Sequence, residues 1–169
     1  LEFNQIFNYM NLPINKQTVL ITGAGRGLGS SISKSFHREG AKVIINYRKS
    51  YKSAKRLSDS LGDKAILIQG DIRNKEEVLQ MSKELSDQKI IINTIVHNAI
   101  NDYKFNGEQR KKIDEIDWQD FQNQIETSQK GFLNLLNTFA PSMRKENFGR
   151  FITVGTNLFQ NPVVPYHDY

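Results

Sequence analysis

The stretch Thr18-Val19-Leu20-Ile21-Thr22-Gly23-Ala24-Gly25-Arg26-Gly27-Leu28-Gly29 decides the fold class. Thr18–Thr22 is apolar and β-branched without polar alternation, the pattern of a strand buried on both faces. Four glycines follow within seven residues, and Ile32 and Phe36 continue at helical spacing across Gly29–Arg38. Strand, glycine-rich turn and helix in that order suit a dinucleotide. Glycine permits the tight turn, lets the main chain approach a pyrophosphate, and allows the helix to sit close on the strand. The helix N-terminus adds free N–H groups and a partial positive charge. No Gly-Lys-Ser/Thr closes the turn, which excludes the phosphate loop of nucleoside triphosphatases.

Beyond this unit the alternation repeats. Lys42–Tyr47 reads as a second strand and Ser50–Leu61 as a helix capped by Ser50. Lys64–Gln69 is a third strand, Asn74–Leu85 a helix capped by Asn74, and Ile90–Val96 a fourth strand. Asn101–Asp114 is polar, a loop or at best a short helix. From Asp117 a helical pattern runs to about Lys145, with Pro141 expected to bend or interrupt it. Arg150–Val154 is a fifth strand before an Asn/Pro-rich loop. Strands alternating with helices over short connections predict an α/β fold, a doubly wound parallel sheet of Rossmann type.

Composition narrows the chemistry. At 169 residues and 38% hydrophobic, the chain has one domain's length and can bury a core. It has no cysteine, so disulfides, thiolate metal sites and cysteine nucleophiles are excluded. The three histidines lack metal-ligand spacing, and no metal is expected. No apolar run approaches the ~20 residues of a membrane span, and Leu1–Gln17 lacks the layout of a secretory signal. A cytoplasmic protein without a membrane partner is the expectation. The net charge is +5. Past residue 58 the charges are mixed, as in Lys111 and Lys112 beside Asp114 and Glu115, so no basic stripe suggests nucleic acid.

The excess charge instead sits after the second strand. An NAD site usually places Asp or Glu there to hold the ribose hydroxyls. Here the strand ends Asn46-Tyr47-Arg48-Lys49, and from Gly40 to Ser58 there are six basic residues and no acid. Arg26, inside the glycine turn, faces the same region. A 2′-phosphate is a dianion that needs such partners, so NADP is favoured over NAD. Lys52, Lys55 and Arg56 read as a solvated helix face, Arg26 and Arg48 as ligands of that phosphate.

These residues resemble the short-chain dehydrogenase/reductase family, most closely its 3-oxoacyl-acyl-carrier-protein reductases. Thr22–Gly29 matches the family's TGxxxGxG loop, and Gln69-Gly70-Asp71-Ile72 is similar to its acid after the third strand. His97-Asn98-Ala99-Ile100 is similar to the family's Asn-Asn-Ala-Gly at two of four positions. Gly149–Tyr169 aligns with its fifth strand and catalytic loop. The resemblance implies that Gly23, Arg26, Gly27, Leu28 and Gly29 hold the phosphates, with Tyr47 and Arg48 at the end of the second strand. It also implies that Asp71 and Ile72 contact the adenine and that Asn98 and Ala99 close the cofactor site. His97 reads as structural and His167 as a loop residue.

The activity implied is reduction of a carbonyl, such as a 3-oxoacyl thioester, with hydride from NADPH and a proton from Tyr169. A free tyrosine has a pKa near ~10, too high for efficient transfer at neutral pH. The family lowers it with a lysine four residues later, beyond the last residue here. Thr156 takes the place of the family's catalytic serine, and Ser128 that of its catalytic asparagine. The resemblance covers residues 16–169 and implies a longer domain whose C-terminal part is missing here, forming homo-oligomers. Met10 is expected to be the native start of the domain, residues 10–169, with Leu1–Tyr9 a foreign lead. The 169 residues alone are expected to be inactive. A second reading stays open, a non-catalytic NADP-binding or interaction protein, favoured by Ser128 and Ile100 where the family has asparagine and glycine.

Overall fold

The computed structural model describes residues 12–103, 106–158, 160–161, 166 and 169; the expected lead Leu1–Tyr9, Met10 and His167 lie outside them. Among the described residues five strands form one parallel sheet: β1 (Thr18–Ile21), β2 (Lys42–Tyr47), β3 (Ala65–Gln69), β4 (Thr94–His97) and β5 (Arg150–Thr153). Their order is β3-β2-β1-β4-β5, so the chain reverses its direction of travel across the sheet between β1 and β4. The crossovers contain α1 (Gly27–Arg38), α2 (Tyr51–Leu61) and α3 (Lys75–Asp87), then α4 (Trp118–Ile125) and α5 (Gly131–Lys145).

Alternation along each strand divides the core in two. Val19, Ile21, Val43 and Ile45 face one side, where Ala54, Leu57, Ile32 and Phe36 of α1 and α2 cover them. Leu20, Ile44, Ile68 and Ile95 face the other, against Val78, Met81 and Leu85 of α3 and Leu135, Phe139 and Met143 of α5. Val19, Leu20 and Ile21 are 0% exposed, as the unbroken apolar run of β1 requires. Helices on both faces confirm the doubly wound class.

Local details depart from expectation for identifiable reasons. The fourth strand begins at Thr94, not Ile90: the Ile90 N–H turns back to the Leu85 carbonyl, while Asn93 accepts the Thr18 N–H through its side chain. Ser50 precedes α2, but its side chain makes no capping bond; its carbonyl instead accepts the Ser53 hydroxyl at 3.0 Å. Asn74 does cap α3, accepting the N–H groups of Glu76 and Glu77. Pro141 sits inside α5 without ending it. Residue 137, whose carbonyl loses its donor there, is solvent-exposed like Pro141 itself. The long helix is interrupted earlier, by a π-helical turn at Glu126–Lys130. There Thr127 and Ser128 both donate their hydroxyls to carbonyls four residues back, at 3.4 and 2.8 Å. No helix among the described residues is long and apolar enough to cross a membrane.

That turn is held against the sheet by His97 at the end of β4. Its ring lies 5.9 Å from Phe132, and Nε2–H donates to the Ser128 carbonyl at 3.1 Å. Nδ1 is buried with no partner among the described residues. Burial therefore pulls His97 below the ordinary histidine range, only partly opposed by the bond to Ser128. The neutral ring's contribution is complete above about pH 6.5 and is lost as pH falls through the lower folded value. Urea unfolding of the wild type is thus expected to show falling stability from pH 7 to pH 5, and His97→Gln a flatter profile; parallel profiles would contradict this.

Candidate functional site

A cleft of about 520 Å³ opens at the C-terminal ends of the strands, where β1 and β4 part. Open α/β sheets bind ligands at such a reversal. Its floor is the glycine turn. Gly23 (φ +62°) and Gly27 (φ +53°) occupy the left-handed region, which side-chain-bearing residues rarely adopt. At Gly29 the constraint is space: a Cβ there would lie 2.5 Å from the Gly23 carbonyl oxygen and 2.6 Å from Asn98 Nδ2. The start of α1 therefore rests directly on the turn and on the end of β4. No side chain caps α1 and no acid stands in its first turn, so its positive end is presented to the cleft.

Thr22 locks this arrangement. Its Oγ1 accepts the N–H groups of Asn98 at 3.0 Å and Ala99 at 2.9 Å, while its own N–H donates to Val96. Asn98 returns the contact, donating Nδ2 to the Thr22 carbonyl at 2.9 Å. Asn46 extends the network toward β3, its carbonyl accepting from Ala24 and its amide donating to the Gly70 carbonyl at 3.1 Å. Thus the expected residues Gly23, Gly27, Leu28, Gly29, Asn98 and Ala99 share one wall, with Leu28 exposed on it.

The opposite corner is charged. Arg26 and Arg48 converge on one point, as their sequence positions suggest, but an acid from a distant loop meets them. Asp102, in the loop after β4, accepts from Arg48 Nη2 at 3.1 Å and from Arg26 Nη2 at 3.4 Å. Tyr47, buried at the end of β2, lies beside Tyr51 with ring centroids 5.8 Å apart. Asp71 is less open than the sequence suggests. Arg73 grips its carboxylate through Nε and Nη2, at 3.0 and 2.6 Å, and Arg48 Nη1 stands 3.6 Å away. Burial works to raise the Asp71 carboxyl, but the Arg73 side chain and N–H and both guanidinium charges outweigh it and hold it below the usual range. The Ile72 side chain is in the core, and its carbonyl accepts the Asn134 amide at 2.9 Å.

The expected catalytic residues are not all brought together. Tyr169 lines the cleft, its ring 4.6 Å from that of Tyr103, which itself lies under the Arg110 guanidinium at 3.9 Å. Thr156 is half-buried beside the cleft's Gly155, and its Oγ1 accepts the Leu158 N–H at 3.1 Å. Ser128 is exposed with its hydroxyl turned to Gln124; Thr127 is the residue of that turn on the cleft wall. Sequence reading missed Arg73, Asp102 and Tyr103. The Asp71-Ile72-Arg73 spacing could have signalled the first; nothing local signals the other two.

A parallel sheet with a glycine turn and a cationic corner at its reversal point defines a dinucleotide-binding class of α/β protein. The short chain dehydrogenase family model matches residues 17–169, and the chain belongs to that family. It is 31% identical over 138 residues to the NADP-dependent 3-hydroxy acid dehydrogenase YdfG of Escherichia coli (strain K12), covering 82% of this chain and 53% of that one. It is 31% identical over 141 residues to the 3-oxoacyl-[acyl-carrier-protein] reductase FabG of Staphylococcus epidermidis, covering 82% and 55%. A solved serine dehydrogenase complexed with NADP+ superposes with a TM-score of 0.72 at 27% identity, over 87% of this chain and 57% of the other. The chain thus spans about half the length of the curated relatives it matches.

Thr22→Val keeps the shape of the side chain but leaves the Asn98 and Ala99 N–H groups without their acceptor. The expected cost in urea unfolding is about 2–4 kcal/mol, with most of it recovered in Thr22→Ser. A Thr22→Val protein as stable as the wild type would contradict the lock.

Proposed function

We propose that the cleft binds NADP and forms one wall of the active site of a reductase acting on a carbonyl, such as a 3-oxoacyl thioester. The observation that carries this reading is the convergence of Arg26 and Arg48 over the same cleft as the glycine turn. The donor set fits the group: uncapped N–H groups of α1 for the pyrophosphate and two guanidinia for a 2′-phosphate. In this reading Gly23, Gly27, Leu28 and Gly29 admit the pyrophosphate, Arg26 and Arg48 hold the 2′-phosphate beside Tyr47, and Asp71 with Ile72 borders the adenine. Asn98 and Ala99 complete the wall on the β4 side.

When bound, NADPH supplies the hydride for reduction of a carbonyl carbon. Tyr169 supplies the proton to the carbonyl oxygen, with Tyr103 and Arg110 fixing where its ring stands. Thr156 polarises that oxygen through its hydroxyl hydrogen, which stays available because the bond from Leu158 uses only a lone pair. Ser128, its hydroxyl hydrogen given to Gln124, keeps only oxygen lone pairs for the place of the family's asparagine. The similarity to 3-hydroxy acid and 3-oxoacyl enzymes supports a substrate with the carbonyl at the third carbon.

Titration of the 169-residue chain is expected to show tighter binding of NADPH than of NADH. Arg48→Ala should weaken NADPH by about tenfold or more, the worth of a charge-assisted hydrogen bond, and leave NADH within about twofold. Equal affinity of the wild type for both would contradict the reading. The same polypeptide is expected not to oxidise NADPH with an acetoacetyl thioester, because it lacks the lysine that lowers the tyrosine pKa in the family pattern. Turnover would refute that dependence.

A further inference from the structure

Resting on the reading that Arg26 and Arg48 receive a 2′-phosphate, we infer that Asp102 sets the discrimination between 2′-phosphorylated and plain dinucleotides. It does so by holding the same two guanidinia in the free chain. The carboxylate bridges them, Oδ1 to Arg26 and Oδ2 to Arg48, at the rim of the cleft. Geometry favours the placement on both sides of the residue. Upstream, Asn98 and Ala99 are tied to Thr22. Downstream, the Tyr103 N–H closes a tight turn onto the Asn101 carbonyl at 2.6 Å, and the Tyr103 ring is anchored on Tyr169. Asp102 is thus delivered to the guanidinia by a short span fixed at each end, which gives the carboxylate a high effective concentration there.

Its effect on the two ligands is opposite in sign. A 2′-phosphate brings a dianion to guanidinia that already hold an anion. It must displace Asp102 or bear like-charge repulsion at contact distance. A 2′-hydroxyl is neutral and can donate a hydrogen bond to the same carboxylate. This is the service that an acid at the end of the second strand gives in an NAD site. Asp102 supplies from the loop after β4 the carboxylate that the end of β2 lacks. Arg48 is already shared with Asp71, 3.6 Å away, so no second acid is needed to orient it, and the charge of Asp102 is a net opponent of the phosphate. Asp102 is exposed (63%), and its removal disturbs no core contact.

The test is titration of the full 169-residue chain and its Asp102→Asn variant with NADPH and with NADH, followed by cofactor fluorescence, with unchanged thermal midpoints as the control for folding. Removing the charge is expected to tighten NADPH by about fivefold and to weaken NADH by about twofold, moving the ratio about tenfold toward NADPH. Asp102→Ser, too short to bridge, is expected to move it the same way. A ratio unchanged within about twofold, or moved toward NADH, in both variants overturns the inference. Arg48→Ala separates this from failure of the underlying reading. If that variant weakens NADPH while Asp102→Asn changes nothing, only the role of Asp102 falls. If Arg48→Ala leaves NADPH binding intact, the phosphate site and the inference fall together.

Discussion

The tie between Thr22 and Asn98 is the constraint on which the site depends. In a parallel sheet whose order reverses at β1, the turns leaving β1 and β4 travel in opposite directions, and the ladder between them ends at the bond from the Thr22 N–H to the Val96 carbonyl. Here one hydroxyl oxygen accepts two successive N–H groups across that gap, and the amide of Asn98 answers with a bond to the Thr22 carbonyl. The two turns are thereby set at a fixed separation, narrow enough that only glycine fits at position 29. The N-terminus of α1, the loop after β4 and the cleft between them follow from that one spacing.

Electrostatics then divides the cleft into unlike ends. The glycine turn offers main-chain donors and the dipole of an uncapped helix. The far corner offers Arg26, Arg48 and Arg73 against Asp71 and Asp102, a set of ion pairs that leaves one positive charge in excess. Asp102 and Arg26 are exposed, so their pair contributes little to stability, whereas Asp71 is gripped through two bonds by Arg73 and is the better-held acid. Tyr169 stands at the same opening, placed by its contact with Tyr103, the neighbour of Asp102. The charged corner and the Tyr169 ring are thus joined through two neighbouring residues, Asp102 and Tyr103.

The strand–turn–helix of residues 18–38 was legible because its signals are local: an unbroken apolar run, glycines at fixed offsets, then helical spacing. The meeting of Arg26 and Arg48 was legible because both lie at the same end of adjacent strands. Asp102 was not, since it reaches Arg48 across 54 residues and Arg26 across 76, with no spacing rule to announce it. The interruption of the long helix was assigned to Pro141, whose lost bond faces solvent. The adjacent hydroxyls of Thr127 and Ser128 were the better signal. The engagement of Ser128 with Gln124 and His97 depends on that turn, so it could not be read before the turn was located.

The central claim is that the gap between β1 and β4 receives a dinucleotide with its 2′-phosphate on Arg26 and Arg48. A crystal structure of the chain with NADP+ bound tests it most directly. The account predicts the pyrophosphate at the N-terminus of α1 and the 2′-phosphate within hydrogen-bond distance of both guanidinia, with the Asp102 carboxylate displaced from them. A 2′-phosphate directed into solvent, or a nucleotide seated away from the glycine turn, would contradict it.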